Sequence, residues 1–347
     1  MNKAEFQKNA HDNNNFGLLR LLAALFVLIS HSFGILNKGL QQPGLWYKDK
    51  HLILSDVGLY IFFTISGFLV TQSLFNSNSL KHYLWKRFLR IFPALAIANL
   101  VCIIIGCFVT RLTFRDYLLN VETWSYFFKN TTVVVNQFTL PGVFDTLKDN
   151  SVNASLWTIL IEVECYIVLL LTAYIVVIRK WLFLTCFVLF QALGVYLTVI
   201  HPMHIKGLNL NVYFTFGTYF YLGSLFYCFK DNIRFKWFYA NILMAVALLT
   251  VYTFLEPVTL AVFIAYCVII IGTSKAIVSL KGYDLSYGFY LYAFPVQQLV
   301  LLYFGYDINV WMHILISSLI TLVFAFFSWK YVEKPFLQKK DRIGKLL

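Results

Sequence analysis

The sequence predicts an all-α polytopic membrane protein with about ten transmembrane helices and both termini in the cytosol. Three observations carry this. The 347 residues are 60% hydrophobic and only 13% charged, whereas a soluble domain has about 25% charged residues. Ten apolar runs are long enough to cross a bilayer core of about 30 Å; they lie near 16–36, 52–75, 89–109, 155–178, 180–200, 210–229, 236–255, 257–274, 284–304 and 310–330. The net charge of +12 sits in short basic clusters between those runs, which is a topology signal and not a nucleic-acid surface.

An even number of spans places both termini on one side, and the basic residues choose which. Of the 28 Lys and Arg, Arg20 lies inside a span and eight (Lys38, Lys48, Lys50, Arg111, Arg115, Lys129, Lys148, Lys206) lie opposite the termini, leaving nineteen on the terminal side. The positive-inside rule makes that side cytosolic. The six cysteines all lie within apolar runs and form no CxxC, so they read as small core residues, neither a disulfide framework nor a metal site. The first apolar run follows a polar leader and carries Arg20, unlike a cleavable signal peptide.

The first span, FGLLRLLAALFVLISHSFGIL, holds Arg20 and His31 eleven residues apart. Eleven helical steps return to within about 20° of the starting azimuth, about 16 Å further along the axis. Both therefore fall on one stripe, with Ala23, Ala24 and Val27 as a low ridge between them. An arginine in lipid costs on the order of 3 kcal/mol, so it faces a partner or a wet cavity. The pair marks a site; the plainer alternative is a snorkelling arginine and a histidine bonded to a neighbouring helix.

The second span contains Thr64, Ser66, Gly67, Thr71 and Gln72, residue types that let helices approach and bond each other. KHYLWKRFLRIFP follows, with Lys86, Arg87 and Arg90 just before Pro93; these are either topology flanks or an anion site. The one long connection, 110–154, is expected outside the cytosol. In it Phe114, Tyr117, Leu118, Val121, Trp124 and Phe128 keep the spacing of an interfacial helix. Asn130 and Asn153 match the glycosylation pattern, a pattern common by chance.

The fourth span opens NASLWTILIEVECY. On one continuous helix Ser155, Glu162 and Tyr166 share a stripe and Glu164 points away, so Glu162 is the site-facing carboxylate and Glu164 a structural partner. In the ninth span Tyr290, Gln297 and Gln298 flank Pro295, which deprives the carbonyl four residues earlier of its helical partner. In the last, SWKYVEKPF, Pro335 is expected to stop the helix and Glu333 to lie among lysines. His51 with Asp56 (HxxxxD) and His201 with His204 (HxxH) read as incidental spacings, the latter because a metal needs more ligands.

Together, Arg20-x10-His31, FFTISGFL, KRFLRIFP, SLWTILIEVECY, DLSYGFYLYAFP and SWKYVEKPF resemble the acyltransferase-3 family of bacterial membrane proteins, in family order from residue 16 to about 337. The resemblance implies an O-acyltransferase of the bacterial cytoplasmic (inner) membrane. Such an enzyme moves an acyl group, usually acetyl, from cytosolic acyl-coenzyme A to a hydroxyl of an extracytoplasmic sugar or polysaccharide. It implies that Arg20 and His31 are the essential pair and that Arg87, Arg90 and Glu162 are sensitive. Tyr60 and Ala293 stand where many members carry an acidic residue and a histidine, so those two roles do not transfer. No hydrolase-like domain is expected beyond residue 347, so the membrane part is expected to act alone or with a partner protein.

The expected site follows from both readings. Lys86, Arg87 and Arg90 bind the donor phosphates, and the donor's apolar arm threads beside Ala23, Ala24 and Val27. His31 serves as general base, with Glu162 orienting it; an acyl-histidine relay uses the same residues equally well. Ser66, Ser155, Tyr166, Tyr290 and Gln297 line the pocket. No metal or cofactor is called for, acyl-coenzyme A being a co-substrate. The alternative is a polysaccharide or lipid-linked sugar transporter or flippase. Such proteins favour paired broken helices in repeated halves, whereas here only Pro295 lies mid-span and no repeat is evident.

Overall fold

The computed structural model describes residues 14–47, 50–202, 209–278 and 282–339; His204 and most of the basic tail expected at 338–347 lie outside them. Helices make up about three-quarters of the described residues. In order they are α1 (Phe16–Ile35), α2 (Leu54–Phe75), α3 (Leu80–Val109), α4 (Phe114–Leu119), α5 (Val121–Thr132), α6 (Trp157–Leu171), α7 (Ala173–Ile178), α8 (Lys180–Val195), α9 (Leu210–Cys228), α10 (Trp237–Leu249), α11 (Glu256–Gly272), α12 (Ser286–Phe304), α13 (Val310–Ser328) and α14 (Lys334–Leu337). Among the described residues, six helical stretches are long and apolar enough to cross a membrane: Phe16–Ile35, Leu54–Phe75, Leu80–Val109, Ala154–Leu171, Lys180–Thr198 and Val310–Leu337. The protein is thus a multi-pass membrane protein. α10 and α11 are apolar but shorter, and α9 and α12, 19 residues each, are rich in tyrosine.

Several boundaries differ from the sequence reading for physical reasons. Before α2 the chain makes an antiparallel hairpin, β1 (Gly44–Tyr47) with β2 (Lys50–Ile53), registered Gly44 to Ile53. His51 therefore lies on a strand and Asp56 in the first turn of α2. α3 begins nine residues earlier than expected because the Ser79 side chain accepts from the His82 N–H as an N-cap. It then runs straight through Pro93, so the basic cluster is on the helix and not in a flank. Pro335 does not stop the last helix either: a π-helical turn, Trp329–Glu333, leads into α14, where Pro335 occupies the first turn. The segment expected to be one interfacial helix is two, broken at Asn120, whose side chain caps α5. Phe114, Val121, Trp124 and Phe128 are exposed, but Tyr117 is fully buried beside Tyr126 against α3.

The chain divides into two compact units, one of Met1–Arg20, Leu59–Ser77 and Glu164–Gly282, the other of Leu21–Gly58, Asn78–Val163 and Tyr283–Leu347. In the first, Asn15 fastens the start of α1 to the end of α11. Its Nδ2 donates to the carbonyls of Ile271 (3.1 Å) and Lys275 (3.1 Å) and its Oδ1 accepts from Ile277 N–H (2.7 Å), satisfying carbonyls that a helix end leaves orphaned. α2 and α9 pack through reciprocal glycines: a Cβ on Gly67 would strike the Phe220 carbonyl, and one on Gly223 the Thr64 carbonyl. Gly67 in the second span is thus a packing residue.

In the second unit, Ser30 Oγ accepts from the Ser55 N–H at 2.9 Å, seating the start of α2 on α1. Just beyond it Gly58 abuts Ala23 and Val27. The Ala23–Ala24–Val27 ridge is fully buried, so it is a helix contact and offers no open groove for a donor arm.

Candidate active site

In the second unit the polar chemistry is arranged along α12. Tyr290, Phe294, Gln297 and Gln298 fall within about 100° of one another on that helix, and each meets a different part of the site. Tyr290 bonds the start of the fourth span: its hydroxyl lies 2.6 Å from Thr158 Oγ1 and donates to the Ser155 carbonyl at 3.0 Å. Glu162, half-buried, lies within coulombic reach of the same hydroxyl. Ser155 sits in a 3-10 turn, Ala154–Leu156, ahead of α6. Ser155 is buried and its Oγ has no partner among the described residues.

One turn along α12, Phe294 meets His31 edge-on, with ring centroids 5.3 Å apart. His31 is half-buried, and its Nδ1 is buried without a hydrogen-bond partner among the described residues. Such an atom forfeits a hydrogen bond unless something else occupies that position.

Beside it lies a closed network that sequence reasoning missed. Gln297 Nε2 donates to the Leu28 carbonyl (2.8 Å) and to Ser32 Oγ (2.6 Å). His313 on α13 places Nδ1 3.0 Å from Ser32 Oγ and Nε2 3.1 Å from the Gln297 carbonyl. A carbonyl only accepts, so Nε2 carries a proton; in the neutral ring Nδ1 then accepts from the Ser32 hydroxyl. The network holds the last turns of α1 to α12 and α13. Its sequence signal was the four-residue spacing of His313, Ser317 and Thr321 in an apolar span, all three fully buried.

The long loop crosses the far end of α12. Gln298 Nε2 donates to the carbonyls of Asp149 and Ser151, each at 2.8 Å. Lys148 N–H donates to Tyr306 Oη at 2.7 Å. Asn153, fully buried, donates its Nδ2 to the Leu291 carbonyl at 2.9 Å. Leu291 is the residue whose carbonyl Pro295 leaves without a helical partner, so the gap is filled by the loop. Asn130 is likewise buried and bonded through both amide atoms to the Gln137 backbone. Neither asparagine is presented as a glycosylation acceptor.

At the start of α12 stands a different kind of cluster. Arg90 Nη2 donates to Asp284 Oδ2 at 2.8 Å, its Nη1 lies 3.8 Å from Glu333 Oε2, and its guanidinium packs over the Tyr287 ring. Glu333 is buried and accepts from Ser328 Oγ at 3.1 Å, so it does not sit among lysines as expected. A Cβ on Gly288 would press on Ser328 and Glu333, and Tyr287 Oη donates to the Ile91 carbonyl. Three separated motifs, KRFLRIFP, DLSYGFYLYAFP and SWKYVEKPF, thus form one clamp. Arg90 is committed to carboxylates, while Lys86 and Arg87, one turn earlier, are half-buried, with Arg87 in coulombic reach of Tyr83.

The remaining expected site residues belong to the first unit. Arg20 is half-buried in the second turn of α1. Ser66 Oγ and Tyr166 Oη are bonded at 2.9 Å, and Glu164 bonds Tyr213, which gives it a structural partner.

Comparison with known proteins identifies the family. Residues 13–330 match the family model of the acyltransferase-3 group, described as an acyltransferase domain. The chain belongs to the acyltransferase-3 family. This acyltransferase is 28% identical to the O-acetyl transferase of Shigella phage Sf6 over 351 residues, 95% of this chain and 98% of that protein. It is also 28% identical to Nodulation protein 10 of Rhizobium leguminosarum bv. viciae over 361 residues, 95% of each. No solved structure matches it. Its six family motifs fall on α1, α2, α3, α6, α12 and the end of α13.

Proposed function

We propose that the acyltransferase moves an acetyl group from cytosolic acetyl-coenzyme A to a hydroxyl of an extracytoplasmic saccharide in the bacterial inner membrane. Ten helical passes with both termini cytosolic carry the chain, a topology supported by the nineteen-to-eight distribution of basic residues. The 110–154 connection then lies outside, where the acceptor is.

His31 takes the proton of the acceptor hydroxyl as that oxygen attacks the thioester carbonyl. Collapse of the tetrahedral intermediate expels coenzyme A as a thiolate, which receives the proton from the imidazolium, so the histidine is regenerated. Lys86 and Arg87 meet the donor phosphates, Arg90 being held by Asp284 and Glu333. Arg20, three turns before His31 on α1, is the second essential residue that the family resemblance points to. The observation that carries this reading is the buried Nδ1 of His31 on α1, which has no partner among the described residues, beside Phe294 of α12. The O-acetyl transferase relative supports the acetyl group.

The test supplies radiolabelled acetyl-coenzyme A to membrane vesicles from cells with and without the protein and follows label into the polysaccharide fraction. Protein-dependent label that is released by mild alkali, as an O-ester is, supports the reading; label that never leaves coenzyme A overturns it.

A further inference from the structure

A general base must meet the proton it takes within hydrogen-bond reach, and a misplacement of about 1 Å can cost on the order of 100-fold in rate. The His31 ring packs edge-on against Phe294, and its Nδ1 has no partner among the described residues. The position of the imidazole therefore depends on the backbone that carries it.

Gln297 grips that backbone on both sides of the histidine. Its Nε2 donates to the carbonyl of Leu28 (2.8 Å), three residues before His31, and to Oγ of Ser32 (2.6 Å), the residue after it. The Leu28 carbonyl can only accept, so the amide is held with Nε2 towards α1. Phe294 stands three residues before Gln297 on α12, so one stretch of that helix both touches the ring and holds its backbone. Gln297 is fixed in turn by His313, whose Nε2 donates to the Gln297 carbonyl at 3.1 Å and whose Nδ1 lies 3.0 Å from Ser32 Oγ. Leu28, Ser32, Gln297 and His313 are all fully buried, where water cannot replace a broken bond. Without this grip, turning the end of α1 by about 20° would carry an imidazole about 6 Å from the helix axis through about 2 Å.

We propose that Gln297 is a positioning residue for acyl transfer: with Ser32 and His313 it sets the rotation of α1 that presents His31 to the acceptor hydroxyl. The inference rests on the reading of His31 as general base. Gln297 exchanges no proton with the substrate and acts only through the backbone around the histidine.

The test pairs Q297L, close to glutamine in size but unable to donate, with S32A, which removes one of the two groups that Nε2 holds. Each variant is purified in detergent and its folded fraction counted by size exclusion. Acetyl transfer from radiolabelled acetyl-coenzyme A is then measured per folded molecule, and coenzyme A binding by isothermal titration. The expected result is a kcat lowered by roughly 20-fold in Q297L and about five-fold in S32A, with coenzyme A affinity and KM for acetyl-coenzyme A within about two-fold of wild type. Folded Q297L with wild-type kcat overturns the proposal. So does a lowered rate matched by an equal loss of coenzyme A affinity, which marks a general loosening of the bundle. Should Q297L fail to fold, S32A decides by the same two readings. H31A is run alongside. If H31A is active, the general-base reading itself fails; if H31A is inert while Q297L and S32A turn over at the wild-type rate, only the role of Gln297 fails.

Discussion

The two ends of α12 carry equally polar sequence and use it in opposite ways. At its start, Arg90, Asp284 and Glu333 answer each other's charges, with Ser286, Ser328 and Tyr287 filling in around them. Further along, buried atoms on His31, Gln297 and Gln298 have no partner among the described residues. A charge cluster closed on itself fastens helices; a histidine packed edge-on against Phe294 and left open at one nitrogen can receive a proton. The difference teaches that a charged motif in such a protein is not a site merely because it is charged. Arg90, expected from sequence at the donor phosphates, is ion-paired to Asp284 and lies 3.8 Å from Glu333.

The largest effect that could break this contrast is at His31. H31A should lower kcat by roughly 100-fold or more while leaving the thermal melting of the detergent-solubilised protein near wild type. A large fall in melting temperature would make His31 another fastening. Next comes the clamp. R90Q removes the cation that Asp284 and the buried Glu333 share, a loss on the order of 3 kcal/mol or more. Fluorescence-detected size exclusion should show markedly less monodisperse protein. If R90Q instead melts normally and raises KM for acetyl-coenzyme A, Arg90 contacts the donor after all, and that outcome is what R87Q is expected to give. A smaller effect sharpens the middle of α12. N153A orphans the Leu291 carbonyl beside Pro295 and should cost about 1–3 kcal/mol of stability, read as a lowered melting temperature. No change there would mean that the loop does not brace the helix.

What the sequence disclosed and what it hid follow the same divide. Apolar length and periodicity depend on local composition, so α1, α2 and α9 through α13 lie within a few residues of their expected positions. Pro295 announced an orphan carbonyl for a local reason too. That Asn153 would fill it, from 138 positions away, is information no single stretch contains. Ser155 was expected on the same α-helix as Glu162, whereas it lies in a 3-10 turn and the α-helix begins at Trp157. Glu333 was misread because its partner Arg90 is remote in sequence. His313 was legible and overlooked: an ionisable residue in an apolar span, with Ser317 and Thr321 on its stripe.

The most direct test sets the two ends of α12 against each other in one assay. H31A and R90Q are solubilised and purified, the folded fraction of each is counted by size exclusion, and acetyl transfer from radiolabelled acetyl-coenzyme A is expressed per folded molecule. The account predicts plentiful, folded and inert H31A, and scarce R90Q whose surviving molecules turn over at near the wild-type rate. Active H31A beside folded, inactive R90Q would contradict it.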